Sequence, residues 1–135
     1  MRLQCRWVIV GYFCVAGEGE MGKRSPDIYD VNESDFQQKV IEASRQSAVV
    51  VDFWAEWCAP CIALAPALER VVEECEGSVI LAKVEVDDNM RLAGHYRLRG
   101  FPTVILFRGG SELARFGGSR PAHWIREWLR EHLGG

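Results

Sequence analysis

The sequence has no excess of positive charge and no run of basic residues. Its 16 Lys and Arg residues and 19 Asp and Glu residues give the 135-residue chain a formal net charge of −3. The basic side chains are scattered along the chain, as expected for a solvated surface. Because the sequence shows no basic patch, we expect neither nucleic acid nor an anionic membrane surface as a partner.

Long hydrophobic runs are also missing, which limits the interpretations of the first part of the chain. The apolar stretch at residues 7–16 has ten residues, whereas a helix needs about 20 to span a bilayer. It follows basic residues as in a signal peptide, but no A-x-A cleavage site comes after it. Residues 1–24 are therefore expected to be an N-terminal extension. Three interpretations of this extension stay open: it is a disordered tail, it precedes a true translation start at Met21, or it is an export signal.

Cysteine is scarce and unevenly spaced. The chain has 5 cysteines, an odd number that argues against the disulfide framework of a small secreted domain. A chain of 135 residues is long enough to bury one hydrophobic core without such bridges. The informative cysteines are Cys58 and Cys61, which lie together in the segment WAEWCAPCIALAP at residues 54–66. Cys75 is expected to be a small buried hydrophobic residue.

The sequence from residue 25 onward predicts alternating strands and helices. Strands are predicted where β-branched apolar residues are concentrated, and helices where apolar residues recur every three or four positions. The predicted strands cover residues 27–31, 48–54, 78–87, 103–107 and 112–116, and the predicted helices begin near residues 32, 59, 88 and 121. This order predicts one α/β domain, residues 25–135, with a mixed central sheet of about five strands flanked on both faces by about four helices.

The two close cysteines fall where the strand at 48–54 ends and the helix at 59 begins. The first turn of a helix has unpaired N–H groups and the positive end of the helix dipole, which favour a thiolate. Cys58 is therefore predicted to be an exposed nucleophile with a lowered pKa. Cys61 lies one turn later, within reach for a disulfide. Pro60 lacks an N–H that the first turn does not use.

Two other interpretations of the cysteine pair fit the sequence less well. A structural zinc site needs four ligands, but no second close pair exists, and His95, His123 and His132 are widely separated. A permanent disulfide across a two-residue loop would constrain little of the unfolded chain and would stabilise the fold only slightly. We therefore predict no metal site and interpret the pair as a dithiol that is repeatedly oxidised and reduced.

The segment VVVDFWAEWCAPCIALAP at residues 49–66 resembles the active-site segment of the thioredoxin family, whose usual signature is WCGPC. The strand with Lys83, the segment RGFPT at residues 99–103 and the glycines at residues 117 and 118 follow in the family's order and spacing. The resemblance extends over residues 26–133 and implies the thioredoxin fold.

The resemblance also implies a function. It implies a cytoplasmic protein-disulfide reductase that uses a reversible Cys58–Cys61 disulfide and binds no cofactor of its own. The implied partners are disulfide-containing target proteins and a flavin- and NADPH-dependent thioredoxin reductase, and we expect a monomer. Two alternatives stay open: an exported thiol–disulfide oxidoreductase, which requires residues 1–24 to be a signal, and a redox-insensitive binding or co-chaperone module. A pure binding module would have no use for an intact reactive pair.

Roles for individual residues follow from the same resemblance. Cys58 corresponds to the attacking thiol, Cys61 to the resolving thiol, Asp52 to the proton acceptor for Cys61, and Lys83 to the partner of Asp52. The apolar rim that receives the target is implied to consist of Trp57, Ala59, Pro60, Phe101, Pro102 and Gly118, with Pro102 as the family's cis-proline.

Three residues of this segment call for comment on their own chemistry. Asp52 interrupts an apolar run, and burial of an acid is costly unless it is paired or protonated, so its pKa is predicted to be raised. Ala59 replaces the family's usual glycine, and Ile62 stands where many relatives carry lysine. Both changes are expected to alter redox poise or target preference while the reaction itself is kept.

Overall fold

The computed structural model describes residues 25–134. The expectations for residues 1–24, including a true start at Met21, lie outside the described residues. The domain predicted from residue 25 onward is the part that the structure describes.

Five strands form one mixed sheet in the order β1-β3-β2-β4-β5. The strands are β1 (Ile28–Asp30), β2 (Ala48–Trp54), β3 (Val79–Glu85), β4 (Thr103–Arg108) and β5 (Ser111–Gly117). β3 pairs in parallel with β1 and β2, whereas β4 pairs antiparallel with β2 and β5. β2 lies in the middle and is buried along nearly its whole length, because its apolar side chains point to both covered faces. The predicted mixed α/β sheet is confirmed.

Three α-helices and one irregular helical segment cover this sheet. The α-helices are α1 (Ala59–Glu74), α2 (Met90–His95) and α3 (Ala122–Leu133). The helix predicted to begin near residue 32 begins later, as a π-helical segment (Gln37–Glu42) followed by a 3-10 turn (Ala43–Arg45). Residues 33–35 form a turn ahead of it, and the Asn32 N–H donates to Asp35 Oδ1 at 2.8 Å, as in the predicted N-cap pair.

The helices divide between the two faces of the sheet, and each face has its own core. α1 and α3 cover one face, where their buried side chains pack with those of β2 and β3, among them Leu64, Leu68, Ile125 and Leu129. The π-helical segment and α2 cover the other face, where Phe36 and Val40 pack with Phe53 and Phe107. No helix within residues 25–134 has the length and apolar character needed to cross a membrane.

The strand register brings two distant loops to the same end of the sheet. Phe53 near the end of β2 pairs with Thr103 at the start of β4. The segment that leads from β2 into α1 therefore lies beside the residues that precede β4. This arrangement brings the two cysteines close to the segment containing Phe101 and Pro102.

Candidate active site

Cys58 lies at the N-cap of α1, and Cys61 lies within the first turn of this helix. The two residues are joined by a disulfide with their Cα atoms 5.3 Å apart. The Cys61 N–H donates to Cys58 Sγ at 3.2 Å, so one of the otherwise unpaired N–H groups of the first helical turn points at the sulfur. Pro60 occupies this first turn, where its missing N–H leaves no bond unmade. The predicted junction of strand and helix is thus the site of the pair.

The prediction that Cys58 is exposed is wrong. Cys58 is 4% exposed and Cys61 is 2% exposed, and both belong to the buried cluster on the face of the sheet opposite α3. At the N-cap, the Cys58 side chain faces the start of α1, where its sulfur accepts the Cys61 N–H and is joined to Cys61. A target disulfide must therefore press closely against the surrounding surface to reach the sulfur.

Trp57 dominates the surface beside the cysteines. It is 64% exposed, and its indole N–H donates to Asp87 Oδ2 at 3.0 Å. Its ring meets the Phe101 ring edge-on with centroids 6.0 Å apart. Asp87 was missed in the sequence, where an acid just after a strand carries no local signal of this contact. It fixes the orientation of the largest exposed aromatic side chain.

The remaining predicted rim residues fall into two groups. Ala59, Pro60 and Gly118 are exposed, and Ile62 is 55% exposed, so the surface beside Trp57 is largely apolar. Pro102 is buried, and its carbonyl accepts the Gly118 N–H at 3.0 Å. The peptide bond between Phe101 and Pro102 is cis. Through its carbonyl, Pro102 ties the segment ahead of β4 to Gly118 at the end of β5.

Asp52 is buried and has no hydrogen-bond partner. It is 1% exposed, and neither carboxylate oxygen has a partner within the described residues. Burial raises the pKa of Asp52 to about 7, with Lys83 opposing the shift and Glu69 adding to it. Asp52 lies on the face of β2 that also carries Val50, because alternate strand residues share a face, and that face is covered by α1. The acid is therefore enclosed behind the helix that begins at the cysteines.

Lys83 forms no hydrogen bond with Asp52, although its charge opposes the rise in the Asp52 pKa. The two residues are register partners on β2 and β3, which places them on the same face. The Lys83 ammonium instead forms an ion pair with Glu69 Oε2 at 2.7 Å and lies 5.8 Å from the centroid of the Trp54 ring. The carboxylate that is ion-paired with Lys83 therefore comes from α1. Glu69 was missed in the sequence because no local pattern shows which side chain of α1 faces β3.

The ion pair between Lys83 and Glu69 should set the pKa of Asp52. We expect Glu69→Gln to lower it by about 0.5–1 pH unit, because a negative charge is lost and the lysine is freed. Lys83→Met should raise it by a similar amount. Carbon NMR titration of the Asp52 carboxyl group measures both shifts. Identical titration curves in the two variants would show that the pair has no influence on the acid.

Cys75 lies away from these residues. It is fully buried in the core beneath α1 and α3, as a small hydrophobic residue would be, but its sulfur is disulfide-bonded, so the prediction of a purely hydrophobic role is not confirmed. Within residues 25–134, no group of three or more His, Cys, Asp and Glu side chains is arranged to hold a metal ion.

Comparisons with known proteins give a consistent result. The family model described as Thioredoxin matches residues 27–131. The chain is 36% identical over 106 residues to a thioredoxin from Chlorobaculum thiosulfatiphilum, covering 78% of this chain and 96% of that protein. It is 35% identical over 103 residues to thioredoxin 1 from Nostoc sp., covering 76% and 94%. It is also 38% identical over 100 residues to a mitochondrial thioredoxin from Bos taurus, covering 74% of this chain and 59% of that protein.

Proposed function

Since this chain belongs to the thioredoxin family and is a protein-disulfide reductase, we propose that Cys58 is its attacking thiol and Cys61 its resolving thiol. The observation that carries this assignment is the hydrogen bond from the Cys61 N–H to Cys58 Sγ at the start of α1. That N–H and the positive end of the helix dipole stabilise a negative charge on Cys58 before any target is bound. Cys61 lies within the first turn of the helix and reacts second.

The reaction proceeds through two thiol–disulfide exchanges. In the reduced protein the Cys58 thiolate attacks one sulfur of the target disulfide, and the other target sulfur leaves as a thiolate. Cys61 loses its proton and attacks Cys58 Sγ, which releases the second target thiolate and forms the Cys58–Cys61 disulfide. Two electrons pass from the protein dithiol to the target, and the two target thiolates take up protons.

Asp52 accepts the proton that Cys61 loses in the second exchange. A general base works best when its pKa lies near the ambient pH, and burial raises the pKa of Asp52 to about 7. Both carboxylate oxygens lack partners within the described residues and are available to a proton. Lys83 and Glu69 act on this step only through Asp52, by holding its pKa in this range.

The target docks on the surface around the cysteines. Trp57, Ala59, Pro60, Phe101, Pro102 and Gly118 form the docking rim, with Ile62 extending its apolar part. Cys58 is 4% exposed. The target's polypeptide beside its disulfide must therefore lie flat against this rim for the target sulfur to reach Cys58.

The oxidised protein is reduced again by a flavin- and NADPH-dependent thioredoxin reductase, and it acts as a monomer in the cytoplasm without a cofactor of its own. The relatives named thioredoxin support this cycle. The same exchanges performed outside the cytoplasm would describe an exported oxidoreductase, and that alternative depends on residues 1–24.

A coupled assay tests this proposal. With insulin, NADPH and a catalytic amount of a bacterial flavin-dependent thioredoxin reductase, NADPH consumption should rise in proportion to the concentration of this protein. Insulin reduction with dithiothreitol but not with the reductase would contradict the proposed partner and keep the activity. Failure with both reductants would favour the redox-insensitive binding module.

A further inference from the structure

An open groove adjoins the docking rim on the side of Phe101. Its volume is about 590 Å³, and it lies between the segment ahead of β4 and the end of β5. Phe101 and Pro102 belong to both the groove and the rim. A target chain that reaches Cys58 across Phe101 would therefore continue into this groove.

Three arginines line the groove, and two of them supply its net charge. The Arg115 guanidinium donates to both carboxylate oxygens of Glu112, at 2.6 and 2.8 Å, and to the Tyr96 carbonyl at 3.0 Å. Its charge is therefore compensated. Arg97 and Arg99 are exposed, and neither forms an ion pair within residues 25–134. These two guanidinium groups make the groove positive.

The backbone at Arg97 points to a use for its side chain. Arg97 has φ of 55°, a left-handed conformation that glycine or asparagine adopts more easily than arginine. Its N–H donates to the Gly94 carbonyl at 3.1 Å, which holds the turn. Any residue with a Cβ is less favourable than glycine at such a position, so the turn itself does not account for an arginine here.

The opposite side of the rim is negative. Asp87 holds the Trp57 indole, and Glu56, Glu85 and Asp88 lie nearby. Burial and then the charges of Asp88, Glu56 and Asp87 raise the pKa of Glu85, as expected for a group of neighbouring carboxylates. Trp57 and Phe101, whose rings meet edge-on, separate the negative side from the positive groove.

We propose that Arg97 and Arg99 select disulfide targets that carry an acidic segment on one side of the reactive cysteine. This inference rests on the proposed function, since it requires the target to be attacked at Cys58. The acidic segment lies in the groove, where each planar guanidinium can bind a carboxylate through two hydrogen bonds. The carboxylates beyond Trp57 repel the same segment, so the charge pattern also fixes the direction in which the target lies across the rim.

Three disulfide peptides of otherwise identical sequence test this selection. One carries three Glu residues beside a reactive cysteine, one carries three Gln residues there, and one carries three Lys residues. The reduced protein is mixed with each peptide in a stopped-flow instrument, and tryptophan fluorescence reports its oxidation. These traces give the second-order rate constants for reduction of the peptides. At low salt we expect the Glu peptide to react about fivefold faster than the Gln peptide and the Lys peptide more slowly than both. High salt should remove most of the difference, because both arginines are exposed.

Substitutions distinguish an effect of the two groove arginines on the peptide preference from an effect of the protein's net charge. Arg97→Gln/Arg99→Gln should abolish the preference for the Glu peptide, and Arg97→Glu/Arg99→Glu should reverse it toward the Lys peptide. The matched control is Arg70→Gln/Arg130→Gln, which removes two charges from exposed positions on α1 and α3 outside the groove. It should keep the preference.

The outcomes that contradict the proposal are distinct. Equal rates for the three peptides with the unmodified protein would overturn the selection and leave the reductase activity intact. The proposal would also be overturned if the control variant lost the preference for the Glu peptide, or if Arg97→Gln/Arg99→Gln kept it. Either result would assign the preference to other charges. Failure to reduce any of the peptides would instead overturn the proposed function from which the selection follows.

Discussion

Cys58→Ser will abolish reduction of insulin, with a loss of at least about 1,000-fold, because a serine hydroxyl is not ionised near neutral pH and is a far weaker nucleophile. Cys61→Ser will keep the first attack and lose the second. Target proteins will then remain bound to Cys58 as mixed disulfides. The turbidity of reduced insulin measures the first effect, and non-reducing electrophoresis followed by mass spectrometry measures the second.

The chain offers a matched control for these two variants. Cys75 lies at the C-terminal end of α1, is buried in the core and is itself disulfide-bonded, so Cys75→Ala removes a disulfide outside the reactive pair and should keep insulin reduction. If Cys61→Ser turned over insulin at the rate of the unmodified protein, the assigned order of the two thiols would be wrong. Mixed disulfides at Cys61 in Cys58→Ser would reverse the assignment.

Asp52→Asn will give a protein that reduces its targets more slowly and is more stable above neutral pH. The slower rate follows from loss of the proton acceptor for Cys61, so the effect should appear in the release of the target and not in the first attack. Stopped-flow experiments with a fluorescent mixed disulfide separate these two steps. An unchanged rate of release from pH 5 to pH 9 would contradict the role of Asp52 as a base.

The effect on stability has a definite sign. Burial raises the pKa of Asp52 from 3.8 to about 7 in the folded protein, so the folded state binds more protons than the unfolded state between these values. Its free energy of unfolding therefore falls as pH rises through this window and levels off above it. Asp52→Asn lacks this dependence. The stability difference between the variant and the unmodified protein should grow by up to about 4 kcal/mol from pH 4 to pH 8.

Urea unfolding at a series of pH values measures this difference, and Asp35→Asn provides a control of opposite sign. The hydrogen bond from the Asn32 N–H, with a smaller contribution from Lys39, lowers the pKa of Asp35. Its carboxylate therefore stabilises the fold above the unfolded pKa, and Asp35→Asn should be less stable than the unmodified protein in that range. A stability difference for Asp52→Asn that is independent of pH would show that the acid is not destabilised by burial.

The sequence by itself determined the order of strands and helices and the location of the reactive pair. Both depend on neighbours along the chain: the apolar run of β2 predicts a strand buried on both faces. Cys58 and Cys61 follow this strand at the point where the apolar residues change to helical spacing and a helix begins. The raised pKa of Asp52 could be predicted for the same reason, because an acid within that run must be buried with it. The first helix differs from its prediction in type, because a turn at residues 33–35 leads into a π-helical segment and not into a regular α-helix.

The tertiary structure alone decided which groups face one another around that pair. Glu69 forms an ion pair with Lys83 across 14 positions of sequence, and Asp87 accepts the Trp57 indole N–H across 30. Cys58 is buried because of how the start of α1 packs on the sheet. Arg97 and Arg99 line the groove next to Phe101, a position that follows from the pairing of β4 with β2 and β5. These contacts depend on strand register and on the face that each helix presents, and a local sequence pattern carries no information about which distant side chain occupies the facing position.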